Sequence, residues 1–370
     1  MSRAYREARG DIVWIIDCNV WVAPGVCGRM VDKLLGRGGT DHTPHKLVHQ
    51  LPLVIDTGGT DTIASMSTNS QPLEERKRGK NSIWQTKGGR LEEMFMSSSH
   101  AKFYTAINTV LIAPCLVGKS NMFRKSHLDA LTNNEGIDHF SHNICEDHLI
   151  GDLLWKQPVP ISVLQASASK QKDGGKWGNH AMLFGDVVIQ PMANMKVSEY
   201  IARRVRWLRV RKYTVPAATG VEPTTESFVC SAMLAYGLTR LSHIHEQFGI
   251  PQTWLAFALV WICLVAAWAS VDWTLYKKLH SGVSIEQDEQ TPSFARPALK
   301  NGARRPWREW LAQWIGREAL AFPIWFWAIF GGATVNWRGK SFWVGMDMRV
   351  HAVNEPKDNS NGALDRRKED

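Results

Sequence analysis

The apolar stretch at residues 249–271 constrains the fold more than any other feature of the sequence. It contains no charged side chain. A helix needs about 20 apolar residues, at roughly 1.5 Å each, to cross the hydrocarbon core of a bilayer. The stretch meets that length and predicts a transmembrane helix.

Two shorter apolar stretches flank this segment. Residues 228–241 are interrupted near their end by Arg240, whereas residues 319–335 contain Pro323 and paired glycines, which permit a kink or a re-entrant path. Both stretches also suit buried core helices. We expect residues 226–335 to form a membrane region with two or three apolar helices. Three spans would put the C-terminus in the lumen, and two would keep it in the cytosol.

The basic residues lie close to the apolar stretches. The chain has a formal net charge of +9 and 17 tryptophans, many beside apolar runs, as in the aromatic belts of membrane proteins. This favours a membrane surface and a phosphorylated substrate as partners. Nucleic acid is disfavoured, because the sequence contains no motif for binding it. A basic loop between the second and third stretches predicts a cytosolic position for that loop. Its basic residues are Lys277, Lys278, Lys300, Arg304, Arg305 and Arg308.

The six cysteines are scattered and form no CxxC pair. This distribution indicates reduced thiols rather than a disulfide framework, so we expect the residues before 226 to face the cytosol. The N-terminal segment, MSRAYREARGD, is polar and lacks the apolar core of a signal peptide.

An apolar run at residues 11–19, DIVWIIDCN, ends in a carboxylate. Because the run does not alternate, it predicts a strand buried on both faces of a parallel sheet. Ligands of open α/β sheets bind beyond the carboxyl ends of the strands, where Asp17 lies. Asp17-Cys18-Asn19 is a DxD-like motif, in which a carboxylate holds a divalent cation against the diphosphate of a nucleotide sugar. Asn19 keeps an oxygen ligand but loses a charge, and a simple turn aspartate is the alternative.

The rest of the first 215 residues predicts a mixture of helices and strands. We expect helices at 24–35, 91–104 and 122–131, and strands at 46–55, 106–115 and 186–191. Residues 56–90 and 165–180 are polar and of low complexity, which predicts insertions without regular structure. The tail, residues 336–370, is expected to be disordered after about residue 356.

An acidic pair, Glu146-Asp147, opens an apolar, helix-like run. Acidic residues favour a helix start through the helix dipole, so the pair reads as an N-terminal cap. It also reads as a general base, because glycosyl transfer to an alcohol needs a carboxylate that takes the hydroxyl proton. The two interpretations are compatible, and we expect the helix N-terminus to lower the pKa of the carboxylate.

A basic stretch at residues 196–215 contains the pattern RxxRW, formed by Arg203, Arg206 and Trp207. On a helix the two arginines share a face, where their guanidinium groups would grip a diphosphate while the indole packs over a sugar or a lipid head. The alternative is an amphipathic juxtamembrane helix whose arginines contact anionic lipid.

Five segments occur in an order that resembles the ceramide glucosyltransferases, a family of membrane-bound glycosyltransferases. The segments are DIVWIIDCN, SSHAKFY, GKSNMFRKS, CEDHLIGDLLWK and RRVRW. The resemblance covers about residues 4–350 apart from the two polar insertions, which look like those of fungal members. It implies an α/β fold: an incomplete GT-A-like nucleotide-sugar transferase domain at residues 1–215, followed by C-terminal transmembrane helices.

The resemblance also implies roles for individual residues. Asp17 corresponds to the family's second aspartate motif, linked to nucleotide-sugar and metal binding, with Mg or Mn as the cation. Asp147 corresponds to the third motif, the catalytic base, and the RxxRW cluster to the family's diphosphate-binding (Q/R)xxRW. His100 and Cys115 match positions near the active site.

The implied function is transfer of glucose from UDP-glucose to ceramide with inversion, giving glucosylceramide in sphingolipid metabolism. The implied protein is an integral membrane enzyme of the Golgi or endoplasmic reticulum with a cytosolic catalytic part. The family begins with a membrane anchor and a nucleotide-binding half that the sequence here does not contain. This leaves an inactive, N-terminally truncated chain or a non-catalytic membrane fragment as an alternative. Another is a polysaccharide synthase of the chitin or cellulose type. The sequence does not indicate the oligomeric state.

Overall fold

The computed structural model describes residues 1–37, 42–58, 87–168, 177–283, 285–297, 304–337 and 340–353. Most of the two predicted insertions and the whole tail after residue 356 therefore lie outside the described residues. At the edges of the insertions, residues 88–90, 165–168 and 178–180 belong to regular helices and strands.

Four strands form a mixed sheet in the order β1-β3-β2-β4. β1 and β2 each pair with β3 in the antiparallel sense, and β2 pairs with β4 in parallel. The strands are β1 (Ile12–Ile16), β2 (His45–Asp56), β3 (Ser120–Arg124) and β4 (Gly178–Met192).

Nine helices surround this sheet within the described residues before 226. They are α1 (Ser2–Glu7), α2 (Val26–Leu35), α3 (Gly88–Ser97), α4 (Ser99–Val110), α5 (Lys125–Leu131), α6 (Glu146–Lys156), α7 (Ile161–Ala168), α8 (Val197–Thr214) and α9 (Pro216–Val221), with 3-10 turns at Gly136–Phe140 and Glu222–Thr225. We call residues 1–225 the α/β unit.

The strand β1 differs from the prediction in direction and position. Ile12 and Trp14 pack against one hydrophobic cluster, whereas Val13 and Ile15 pack against another on the opposite face. Both faces are therefore covered, which explains the lack of alternation. The expected parallel pairing is wrong, because the only described neighbour of β1 is the antiparallel β3. An apolar pattern reports burial and carries no information about strand direction.

Some predicted elements are confirmed and others are wrong. The helix at 24–35 and the strands at 46–55 and 186–191 are confirmed as α2, β2 and part of β4. The strand predicted at 106–115 is wrong, because α4 continues to Val110, and Tyr104 and Asn108 are buried at helical spacing. Residues 122–124 belong to β3, so the helix predicted at 122–131 begins only at Lys125. The helix predicted at 91–104 is divided at Ser98.

The C-terminal part consists of four helices and a small antiparallel sheet. The helices are α10 (Ser227–Arg240), α11 (Ser242–Phe248), α12 (Trp254–Leu279) and α13 (Trp307–Phe330), with a 3-10 turn at Ser293–Ala295. The strands are β5 (Thr334–Trp337), β6 (Lys340–Val344) and β7 (Val350–Ala352). In the described part of the chain α12 alone is long and apolar enough to cross a membrane, by length and composition, with a mean hydropathy of 2.2.

Buried polar contacts join α12 to the α/β unit. Tyr276 of α12 donates a hydrogen bond of 2.8 Å to the buried Glu93 of α3, which also accepts one of 3.0 Å from Arg305. The ammonium group of Lys102 on α4 lies 2.6 Å from Asp272 of α12. These charges are removed from water and remain stable only in pairs, so they fix how the last helices sit on the unit.

A second buried network centres on Arg317 of α13. Its guanidinium donates a hydrogen bond of 2.5 Å to Glu226 and one of 2.9 Å to Ser99, and it also pairs with Glu318. Glu318 in turn accepts a hydrogen bond of 3.0 Å from the backbone amide of Ser227. One arginine therefore joins α13 to α4 and to the start of α10.

Replacing this arginine (Arg317→Met) leaves Glu226 and Glu318 buried without their counter-charge. We expect the free energy of unfolding to fall by about 3–5 kcal/mol, measured as a lower apparent melting temperature in nanodiscs. Arg308→Met, on the exposed side of the same helix, is the control and should change that energy by less than about 0.5 kcal/mol. Equal melting temperatures for the two variants would contradict the role of Arg317.

Candidate active site

Asp17 and Lys119 form an ion pair at the end of the β1–β3 ladder. The backbone amide of Asp17 donates to the carbonyl oxygen of Lys119 at 3.1 Å. The Lys119 ammonium lies 2.5 Å from the Asp17 carboxylate, and its side chain is almost fully buried. The ladder pairs Ile16 with Ser120. Asp17, which follows Ile16, is therefore brought next to Lys119, which precedes Ser120. Asp17 therefore lies at a strand end, as predicted, but its carboxylate already forms an ion pair with Lys119.

Asp147 lies in the first turn of α6, as the sequence predicts. Its carboxylate packs against Gly118, where an added Cβ atom would come within 3.2 Å of the Asp147 Oδ2 atom. The backbone amide of Gly118 acts on this carboxylate in the direction that lowers its pKa. Gly118 and Lys119 are adjacent, so one short segment contacts both Asp147 and Asp17. The two predicted carboxylates therefore lie in one site.

Burial dominates the protonation of the acidic pair. It raises the pKa of Asp147, although hydrogen bonds from backbone amides and the charge of Arg211 act in the opposite direction. The amides at the helix N-terminus act in the expected, lowering direction, but burial outweighs them, so the expected net lowering of this pKa is wrong. Burial, with added repulsion from Asp147 and Asp17, raises the pKa of Glu146 to about 7. Carboxylates shielded from water in this way hold protons more strongly than exposed ones, which suits a base.

The RxxRW cluster lies on α8 beside this pair. Arg203 donates a hydrogen bond of 2.8 Å to Glu92, a fully buried carboxylate on α3. Burial lowers the pKa of Lys119, and the positive charge of Arg203 adds to this effect, while Asp17 opposes it. The electrostatic interaction of Arg203 with Lys119 connects the arginine helix to the Asp17 ion pair. The site thus combines one carboxylate pair with a group of cations.

Arg206 differs from Arg203 in its surroundings. It has no hydrogen-bond or ion-pair partner within the described residues, whereas Arg203 is held by Glu92. Burial lowers the pKa of Arg206, and the charge of Arg203 acts in the same direction. A half-buried guanidinium without a partner is a ready ligand for an anion.

Trp207 lies in an aromatic group that contains His100. The Arg203 guanidinium lies 4.8 Å from the Trp207 ring centre, and His100 lies 6.5 Å from the same ring and stacks on Tyr104 at 5.3 Å. Burial lowers the pKa of His100 to about 3, so the imidazole stays neutral. The predicted position of His100 near the cluster therefore agrees with the geometry.

Cys115 lies next to α4, close to Tyr104. Its carbonyl oxygen accepts a hydrogen bond of 3.0 Å from Asn108, one turn along α4 from Tyr104. Burial raises the pKa of the Cys115 thiol, so the thiol is protonated at neutral pH. Cys115 therefore supports the site through packing, and its side chain carries no charge there.

Three site residues were not identified from the sequence: Glu92, Lys119 and Arg211. Lys119 stands in Gly118-Lys119-Ser120, a sequence that lacks the first glycine of a phosphate loop. Its role depends instead on the pairing of β1 with β3. Glu92 is one of two adjacent glutamates on α3, and only the packing of α8 distinguishes it. Arg211 lies two turns beyond Arg203 and lacks a motif signal.

The predicted divalent cation finds few ligands in the described residues. They contain no group of three or more His, Cys, Asp or Glu side chains that could hold a metal ion, and Lys119 already pairs with Asp17. The cation at Asp17 stays a prediction, and no chemical step below passes through it.

Comparison with known proteins identifies the family. The sequence model of glycosyl transferase family 21 matches residues 81–350. The chain belongs to glycosyltransferase family 21. It is 46% identical to a ceramide glucosyltransferase of Gibberella zeae, over 97% of this chain and 70% of the relative. It is 47% identical to a ceramide glucosyltransferase of Pyricularia oryzae, over 98% of this chain and 69% of the relative.

A more distant relative in family 21 is a ceramide glucosyltransferase of Candida albicans, 30% identical over 95% of this chain and 72% of the relative. No solved structure matches the chain. The resemblance inferred from the five segments is therefore confirmed, as is the mixed α/β character of the protein. Membership in family 21 makes the chain a glycosyltransferase.

The contact between Gly118 and Asp147 gives a test of the site in this family 21 protein. In Gly118→Ala the new Cβ atom would lie 3.2 Å from the Asp147 Oδ2 atom and 3.3 Å from its Cγ atom, closer than ordinary contact. Asp147 must then shift by a few tenths of an ångström. We expect glycosyltransferase activity to fall roughly three- to tenfold, measured as initial rate per folded protein.

Gly28→Ala is the matched control, because an added Cβ atom there meets nothing within 4 Å. It lies in the exposed part of α2 and should leave the rate unchanged. If both variants keep the wild-type rate, the position of Asp147 against Gly118 does not matter for activity.

Proposed function

We propose that the chain transfers glucose from UDP-glucose to the primary hydroxyl of ceramide with inversion, giving glucosylceramide. The names of the relatives support ceramide as acceptor and glucose as the transferred sugar. The observation that carries the proposal is the Gly118-Lys119 segment, which contacts Asp147 through one residue and Asp17 through the next. A base for the acceptor and a binding site for the donor are thereby adjacent.

Asp147 acts as the general base in this proposal. Inverting transfer needs one carboxylate that takes the acceptor proton while the hydroxyl oxygen attacks the anomeric carbon and the diphosphate leaves. The raised pKa of Asp147 improves its strength as a base. Glu146, with a pKa of about 7, is largely protonated below that pH and leaves the negative charge on Asp147.

Lys119, Arg203 and Arg206 neutralise the diphosphate of the donor. Lys119 is fixed by Asp17 and Arg203 by Glu92, so both cations are held in position before the donor binds. Arg206 has no described partner and is available to the leaving diphosphate. Cations positioned in advance stabilise the charge that develops on the leaving group without further reorganisation.

The acceptor is a lipid, which requires access from a bilayer. Trp207 packs against an apolar cluster that contains Phe95, Leu208 and Ile324 of α13. We propose that Trp207 shapes the acceptor end of the site and that α12 anchors the protein in the membrane. The protein then works at the Golgi or endoplasmic reticulum with the α/β unit in the cytosol, where UDP-glucose is available.

Replacing the proposed base (Asp147→Asn) tests the mechanism. We expect the turnover of fluorescent ceramide with UDP-glucose to fall by about 10²–10⁴-fold, while the affinity for UDP measured by calorimetry changes little. The control is Asp152→Asn on the same helix, where the carboxylate pairs with Lys156 at 2.8 Å. Asp152→Asn should retain nearly full turnover.

Undiminished turnover in Asp147→Asn would remove this residue from the role of base. An oligosaccharide acceptor assayed in parallel distinguishes a ceramide enzyme from a polysaccharide synthase. Binding of UDP without turnover of either acceptor would support the alternative of a non-catalytic chain. Donor titrations with and without a chelator test the divalent cation predicted at Asp17.

The pH dependence of the rate follows from the pKa shift of the base. The carboxylate form of Asp147 is active, so kcat/KM falls as the pH drops through its pKa, and a raised pKa puts this acid limb above the usual carboxyl range. The charge of Arg211 lowers that pKa. In Arg211→Gln the pKa of Asp147 rises further, and we expect the acid limb to move to higher pH.

The control for this shift is Arg308→Gln, which removes an exposed positive charge on α13. Its pH profile should match that of the wild type. Because Glu146 titrates beside Asp147, the limb reports the pair, and the direction of the change is the measured quantity. An acid limb that does not move in Arg211→Gln would show that Asp147 is not the group that titrates.

A further inference from the structure

The exposed side of α13 is a continuous apolar stripe. Its exposed residues recur every three or four positions, which is the spacing of one helix face. Phe322, Phe326, Trp327 and Phe330 are each between 45% and 66% exposed. The exposed members from the second turn onward are Ala312, Ile315, Ala319, Phe322, Pro323, Phe326, Trp327 and Phe330.

The buried side of α13 carries the polar residues. Gln313, Arg317 and Glu318 are buried, and Arg317 is satisfied by Glu226 and Ser99. Trp310, Trp314, Ile324 and Ala328 are buried on the same side, so from its second turn onward α13 is apolar inside and outside and carries its polar groups only inside. A helix on the surface of a soluble protein exposes its charged side chains instead. The exposed side of α13 is therefore suited to an apolar medium and poorly suited to water.

Both ends of α13 are attached to the same α/β unit. Next to its first turn, Arg305 donates a hydrogen bond of 2.5 Å to the backbone oxygen of Asp56 and pairs with Glu93. At the other end, Arg209 and Lys212 of α8 donate hydrogen bonds of 2.7 Å and 2.6 Å to the carbonyl oxygens of Gly331 and Ile329. A helix that crossed a bilayer would separate its ends by about 30 Å of hydrocarbon, which this polar unit cannot bridge.

The preceding helices α10 and α12 form a hairpin that starts and ends at the unit. α10 begins at Glu226, which accepts a hydrogen bond of 2.7 Å from Ser99 of α4, and α12 returns where Asp272 and Tyr276 meet Lys102 and Glu93. The tip, residues 241–253, lies at the far end, where the Arg240 guanidinium stacks on Trp254 at 4.2 Å. The chain therefore leaves the unit along α10 and returns to it along α12.

We propose that α13 lies flat in the membrane interface and presents its apolar stripe to the lipid, so that it is the bilayer-facing surface of the α/β unit and not a membrane span. The stripe adjoins the exposed helix α12, since Trp314 of α13 donates a hydrogen bond of 2.9 Å to Asp272. The exposed Lys278 and Arg308 lie at this junction, where anionic headgroups would bind them.

This arrangement brings lipid close to the proposed acceptor site. Ile324 and Ala328, on the inner side of α13, pack into the cluster that contains Phe95 and contacts Trp207. The thickness of one helix therefore separates the stripe from the RxxRW cluster. The inference rests on the proposed function only for attachment to a membrane, and it does not depend on the sugar or on the acceptor.

Photo-crosslinking tests the lipid contact. p-Benzoylphenylalanine at position 326, in the full chain reconstituted into vesicles of phosphatidylcholine and phosphatidylserine, should give roughly tenfold more lipid adducts than the same probe at Lys156. Lys156 is the control, because its side chain is exposed and polar on α6. Equal yields at both positions would overturn the proposal.

Glycosylation mapping tests the topology. An acceptor sequence with a flexible linker is inserted after Phe248 in the hairpin tip, or after Asp347 between β6 and β7, and each variant is inserted into reticulum membranes. We expect glycosylation at the tip and none after Asp347. Glycosylation after Asp347 would mean that α13 crosses the membrane and would overturn the proposal.

The outcomes separate this inference from the proposed function. Lipid adducts at position 326 without glucosylation of ceramide would reject the function and support the lipid contact of α13. If lipid adducts form at position 326 but neither the insertion after Phe248 nor the one after Asp347 is glycosylated, the membrane hairpin is rejected. α13 would still be supported as the lipid-facing surface. Ceramide glucosylation without adducts at 326 would leave the enzyme intact and overturn the role of α13.

Discussion

The antiparallel pairing of β1 with β3 is the constraint on which the candidate site depends. Because Ile16 lies opposite Ser120, Asp17 meets Lys119 at the end of the ladder, and the adjacent Gly118 contacts Asp147 at the start of α6. A slip of one residue in this register would turn Asp17 to the other face of the sheet. The chemistry of the site thus follows from backbone hydrogen bonds.

Burial gives the charged groups of the site their properties. Glu92 is withdrawn from water and holds Arg203, whereas Arg206 is only half-buried and has no described partner. The same desolvation raises the pKa values of Glu146 and Asp147 against the pull of backbone amides. Burial therefore sets the direction of these pKa shifts, and helix amides and nearby arginines only reduce their size.

Buried ion pairs also attach the C-terminal helices to the α/β unit. Arg317 donates to Ser99, Lys102 pairs with Asp272, and Glu93 accepts from Tyr276, in each case across this boundary. Such pairs are costly to break and specify orientation more than they add stability. The site and the apolar surface of the protein are consequently held in a fixed relation, as an enzyme with a lipid substrate requires.

The sequence by itself determined the family, the helical position of the RxxRW cluster, the start of a helix at Asp147 and the long apolar helix α12. These depend on local order and spacing, which a chain carries without being folded. Only the tertiary structure decided the direction of β1, the partners Lys119 and Glu92, the raised pKa of Asp147 and the course of α13. Each of these depends on residues far apart in sequence, because strand pairing, desolvation and helix packing arise when distant segments meet.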